Sequence, residues 1–90
     1  MRADRNAVAR LLKTARGQID GILKMIEEDR YCVDISNQLM ATQSILTKAN
    51  REILKAHIGG CVQEAFDSGD EKQREASMQE ILALLDKLGR

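Results

Sequence analysis

Apolar positions recur at helical spacing along nearly the whole chain. Between Arg5 and Glu28 they fall at Val8, Leu11, Leu12, Ala15, Ile19, Ile22, Leu23 and Ile26. This is the i, i+3/i+4 pattern of an amphipathic helix. The charged stretch Glu27-Glu28-Asp29-Arg30 interrupts it and predicts a turn. A second stripe starts near Tyr31–Asp34 and runs Cys32, Ile35, Leu39, Thr42, Leu46, Ala49, Ile53, Ala56. Its alternation of three and four predicts one long helix, reaching about Phe66 and packed along a long partner helix. Asp67-Ser68-Gly69-Asp70 reads as a loop. After it, Met78, Ile81, Leu82, Leu85 and Leu88 share one face of a third, shorter helix. The expected fold is all-α: a long antiparallel helix hairpin plus a short third helix, in a single domain over residues 1–90.

Two glycine pairs test this reading. Gly17 and Gly21 lie inside the first helix and Gly59-Gly60 near the end of the second. Each weakens a helix by roughly 1 kcal/mol relative to alanine. The first pair predicts close approach of another helix, and the second a loosening of the last turns.

Composition narrows the function classes. A chain of 90 residues buries a modest core, which favours oligomerisation. Proline is absent, in keeping with helix throughout, and the only aromatics are Tyr31 and Phe66, too few for a base-stacking platform. The formal net charge of zero excludes a uniformly basic coat. Charge is nevertheless segregated: Arg2, Arg5, Arg10, Lys13 and Arg16 face a single acid, Asp4, in the first sixteen residues, and the stretch from Glu64 to Glu80 leans acidic. A basic face for DNA therefore stays open. No apolar leader or membrane-length run is visible, so the chain is expected in the cytoplasm, where a structural disulfide is disfavoured. Its two cysteines are then buried thiols, metal ligands or redox groups.

His57 and Cys61, four apart on a helix, share one face and can chelate one ion. Alone this is a weak pattern. Cys32 would complete a Cys-His-Cys set, but it lies 25 residues before His57 on the same predicted helix, roughly 37 Å away. The set cannot form within one chain unless the helix breaks. It can form across a two-fold axis, with Cys32 of one copy beside His57 and Cys61 of another. The same distance excludes an intrachain Cys32–Cys61 disulfide. Two thiolates and one imidazole are soft ligands that select Cu(I); Zn(II) is the competitor, taking a fourth ligand from a glutamate or water. With a single histidine, an imidazole-rich nickel or cobalt site is not expected. The methionines Met25, Met40 and Met78 read as core residues. His57 with a cysteine reads as ligands, not as a catalytic dyad, and no enzyme is expected.

Arg16-Gly17-Gln18-Ile19, Gly21-Ile22, Met25-Ile26-Glu27-Glu28-Asp29-Arg30-Tyr31-Cys32 and His57-x-x-x-Cys61-Val62 together resemble the copper-sensitive operon repressor family (CsoR/RcnR/FrmR) over nearly the whole chain. The resemblance implies an all-helical dimer that pairs into a tetramer, binds operator DNA in the metal-free state and releases it on binding an inducer. It implies Cys32, His57 and Cys61 as Cu(I) ligands, with Tyr31 supporting them from behind. A supporting glutamate of the third helix falls at Ser77 here, with Glu75 or Glu80 as substitutes. Arginines common before Gly-Gln in such repressors appear as Leu11 and Thr14, leaving Arg10, Lys13, Arg16, Lys48 and Arg51 as the expected phosphate contacts. Two alternatives use the same fold: a reactive-sulfur sensor with Cys32 as attacking thiolate and Cys61 as resolving partner, and a metal-binding member that does not bind DNA.

Overall fold

The computed structural model describes residues 1–88; Gly89 and Arg90, the end of the expected domain, lie outside the described residues. Three helices follow one another: α1 (Arg5–Glu27), α2 (Cys32–Ser68) and α3 (Glu71–Leu88). The all-α hairpin with a short third helix is the architecture predicted from the periodicity.

Each boundary has a local cause. Asp4 caps α1, its carboxylate accepting from the amides of Asn6 at 3.0 Å and Ala7 at 3.2 Å. At the other end Asp29 adopts φ 52°. Its N–H reaches the Ile26 carbonyl (3.1 Å), and that of Arg30 reaches the Met25 carbonyl (3.0 Å). This pair of hydrogen bonds is the Schellman closure of a helix C-terminus, with aspartate in the left-handed position that glycine usually fills. α2 is continuous for 37 residues. It passes straight through Gly59-Gly60, so the expected loosening there does not occur. The flanking His57, Ile58, Cys61 and Val62 are not strong helix formers, and what offsets the glycines is tertiary contact, with Ala65 buried one turn further on. The helix ends at Ser68, capped by Gly69 in the left-handed region, φ 67°, close to the expected end at about Phe66. Asp70 then caps α3 through the Lys72 amide at 2.9 Å.

The hairpin packs through small side chains. Ala3, Val8 and Ala49 are buried together, with Leu11, Ile53 and Ala56 against them. Further toward the tip, Ala15, Ile22 and Thr42 are buried. Thr42 Oγ1 lies 2.8 Å from Gln18 Oε1 and 3.1 Å from the Gln38 carbonyl. The hydroxyl thus donates to an acceptor on α1 or on its own helix, and the Gln18 contact fixes the register between the two. The molecule measures 59 × 28 × 12 Å, so the helices form one thin layer. Leu12, Ile19, Leu23 and Ile26 on α1, Leu39 and Leu46 on α2, and Leu82, Leu85 and Leu88 on α3 are exposed. Gly17 and Gly21 have nothing within 4 Å of a Cβ built on them. The close helix approach expected there is not made within the chain, because α2 lies on the opposite side of α1. Among the described residues, no helix is long and apolar enough to cross a membrane.

Candidate metal centre

The continuous helix separates the three sequence-predicted ligands as expected. His57 and Cys61 stand one turn apart on α2, with Cys61 Sγ 3.5 Å from His57 Nε2. Cys32 is the first residue of the same helix and is exposed at its far end. Tyr31, which caps α2 without a side-chain hydrogen bond, stays at that end too. Neither residue reaches His57 within the chain.

α3 supplies what α2 lacks. Glu80 Oε1 lies 2.5 Å from His57 Nε2. His57, Cys61 and Glu80 each offer a ligand atom, all within 4.8 Å of one another. Ser77, one turn before Glu80 on α3, lines the same cleft as Cys61 and Glu80. Of the two α3 residues expected to support the histidine, Glu80 is the one that meets it. A carboxylate can only accept, so the contact requires a proton on Nε2. Both partners are about half exposed, His57 at 43% and Glu80 at 49%. A pair in such contact with water contributes little to stability; its effect is to orient the imidazole.

One contact near the site was not expected from the sequence. The Arg2 guanidinium pairs with Glu64, one turn beyond Gly60. A Cβ built at Gly60 would run into the Arg2 side chain. Glycine here makes room for the N-terminal arm, which Ala3 anchors in the hairpin core. Glu64, and to a smaller extent Cys61, hold Arg2 in its charged form more firmly than usual. Nothing in local sequence pairs residues 62 apart.

The expected phosphate contacts are exposed. Arg10 and Lys48 line one shallow cleft between α1 and α2, together with Thr14 and Glu52. Lys48 and Arg51 line a second groove along α2. Lys13 and Arg16 stand exposed on α1. Leu11 packs against the hairpin core, and the Thr14 hydroxyl donates back to the Arg10 carbonyl at 3.0 Å.

A helical hairpin thus brings thiol, imidazole and carboxylate together near one end, where they could hold a metal ion, and keeps a further thiol at the other. Residues 4–87 match the family described as metal-sensitive transcriptional repressor, and the chain belongs to that family. It is 42% identical over 78 residues to the copper-sensing transcriptional repressor CsoR of Mycobacterium ulcerans, covering 87% of this chain and 64% of that protein. The chain thus spans just under two thirds of that relative's length. It is 36% identical to the CsoR of Bacillus subtilis over 84 residues, 93% of this chain and 80% of that one. The crystal structure of the copper-sensing repressor CsoR with Cu(I) from Geobacillus thermodenitrificans NG80-2 superposes with a TM-score of 0.80 at 30% identity, covering 94% of this chain and 85% of the other.

Proposed function

We propose that this protein is a Cu(I)-responsive repressor, binding operator DNA without metal and releasing it when Cu(I) occupies an intersubunit Cys-His-Cys site. The observation that carries the reading is the placement of ligands along α2. His57 and Cys61 form a half-site 3.5 Å across, and Cys32 stands at the opposite end of the same unbroken helix. Two copies of α2 packed antiparallel complete two such sites, each with two thiolates and one imidazole, a set that suits Cu(I) and leaves Zn(II) as competitor. The exposed apolar faces of a one-layer molecule, with the open Gly17 and Gly21, suit a dimer with a four-helix core and a tetramer built from it. The copper-sensing relatives support the metal.

The residues then divide the work. Cys32 and Cys61 supply thiolates, and His57 ligates through Nε2, the nitrogen beside Cys61, in exchange for its contact with Glu80 on α3. Ser77 shapes the cleft beside Cys61, and Tyr31 stands next to the Cys32 ligand. Metal held across the interface would join the Cys61 end of one copy to the Cys32 end of the other and, by taking Nε2, would release Glu80 and with it α3. Arg10, Lys13, Arg16, Lys48 and Arg51 hold phosphates, so operator affinity falls steeply with salt. Such a repressor works in the cytoplasm, beside the DNA.

The test is a Cu(I) titration of the reduced protein with operator release as readout, repeated on His57→Ala. One Cu(I) per chain should lower operator affinity at least about tenfold, a coupling of the usual size, and His57→Ala should abolish that response. Release by persulfide but not by Cu(I) would replace the reading with the sulfur-sensing one. Absence of operator binding even at low salt would leave a metal-binding protein without the DNA function.

A further inference from the structure

We infer that His57, Cys61 and Glu80 form a second, single-chain binding mode for a divalent ion of the Zn(II) class, independent of Cys32 and of any partner copy. The inference deepens the metal reading above by assigning Glu80 a direct role that excludes its supporting one.

The geometry supports it at the His57–Cys61 pair, and the Glu80 carboxylate must shift to complete the set. The three ligand atoms converge within one chain, all within 4.8 Å. For tetrahedral zinc, with Zn–N about 2.0 Å and Zn–S about 2.3 Å, the nitrogen and sulfur stand about 3.5 Å apart. Cys61 Sγ and His57 Nε2 are already separated by 3.5 Å. The Glu80 oxygen, now hydrogen-bonded at 2.5 Å, needs to withdraw by somewhat less than about 1 Å to stand at the N···O spacing of such a site. The nitrogen facing Cys61 is Nε2, the one that Glu80 meets. An imidazole–thiolate–carboxylate set is harder than two thiolates and an imidazole, so it favours Zn(II) over Cu(I). The cleft holding Cys61 and Glu80 is open, which leaves room for a water as fourth ligand.

The protons balance. Binding releases the Cys61 thiol proton to solvent, and the imidazole proton moves from Nε2 to Nδ1. The carboxylate oxygen that ligates is no longer available to hold the Nε2 proton. The divalent mode and the intersubunit Cu(I) mode draw on the same Cys61 and His57, so they compete for one pair of ligands and differ in the third: Glu80 of the same chain or Cys32 of another.

Co(II) serves as the optical probe and Zn(II) as its competitor, added to the reduced, metal-free full chain. Wild type and Cys32→Ala should both bind one Co(II) per chain, within about threefold of each other in affinity, with thiolate-to-cobalt charge transfer and the strong visible bands of tetrahedral coordination. Zn(II) should displace it. Glu80→Gln, which keeps the side chain's shape but removes the anionic ligand, should weaken Co(II) and Zn(II) binding by at least about tenfold and, unlike loss of a merely supporting partner, leave Cu(I) affinity within about threefold, with helix content followed by circular dichroism. Loss of Co(II) binding in Cys32→Ala, or unchanged affinity in a folded Glu80→Gln, overturns the proposal. Cu(I) titrated in parallel separates it from the parent reading, because Cys32→Ala should lose Cu(I) binding whatever happens to Co(II).

Discussion

The two ends of α2 are held in different ways. Along α1, the helix is fixed by packing: Val8, Ala15 and Ile22 of α1 and Thr42 and Ala49 of α2 are buried, and small side chains bring the backbones close. Along α3 only Ala65 of α2 is buried, and α3 buries nothing. What ties α3 to α2 is an apolar cleft around Phe66, Met78 and Ile81, a cation–π contact with Arg74 5.4 Å from the Phe66 ring centre, and the half-exposed His57–Glu80 contact. Close-packed contacts resist displacement, because a side chain has one good place to be. A polar contact at a wet site can be exchanged for a metal ligand at small cost. The hairpin is therefore the frame, and α3 is the more loosely held element.

The largest expected effect tests the frame. Ala49 is 3% exposed in the tightest part of the hairpin. Ala49→Leu forces three extra carbons between α1 and α2 and should destabilise the chain by about 1–3 kcal/mol in urea unfolding. Leu85→Ala, on the exposed face of α3, should change it by under about 0.5 kcal/mol. A larger loss at Leu85 than at Ala49 would reverse the comparison. A Leu85 loss that shrinks on dilution would show that another copy covers α3.

A smaller effect probes the arm that crosses to the metal end. Gly60→Ala improves the intrinsic helix propensity of α2 by up to about 1 kcal/mol, yet the new methyl occupies the space of the Arg2 side chain. In the wild-type background it should push the Arg2 side chain off Glu64, seen as little net stabilisation in urea unfolding. In an Arg2→Ala background the same substitution should stabilise the chain by about 0.5–1 kcal/mol. Equal gains in both backgrounds would mean that Arg2 does not lie across Gly60 in solution.

How much of this was legible in the sequence follows from the range of each interaction. The helices and the turn at residues 28–31 were, because i, i+4 periodicity and capping are local. The separation of Cys32 from His57 was, because helix rise is fixed. Glu80 was foreseen as a substitute for Ser77, since both stand one turn apart on the same face of α3. The direct approach of Glu80 to His57 depends on how α3 folds back on α2, which the third helix's own pattern does not encode. Gly17, Gly21 and Gly59-Gly60 misled for a common reason: a glycine in a helix signals that something needs space without saying what. At Gly60 it is an arginine from the other end of the chain. At Gly17 and Gly21 it is nothing within the chain.

The smallest predicted change lies at the hairpin tip, where the frame carries a local cost. Asp29 holds φ 52°, a conformation that costs an L-residue roughly 1 kcal/mol and costs glycine almost nothing. Its carboxylate also sits at the negative end of the α1 dipole, which disfavours it further. The opposite end of α2 already uses glycine in this role, at Gly69 with φ 67°. Asp29→Gly should therefore stabilise the chain, but by less than the full strain, because glycine also gives the unfolded chain more freedom. The expected net gain is about 0.5 kcal/mol, read as a higher urea midpoint at constant slope. Cys32 lies three residues further on, outside the turn itself, so Cu(I) stoichiometry should not change. Destabilisation by Asp29→Gly would mean that the aspartate side chain contributes a contact worth more than the strain it imposes, and that the tip is held by chemistry as well as by backbone geometry.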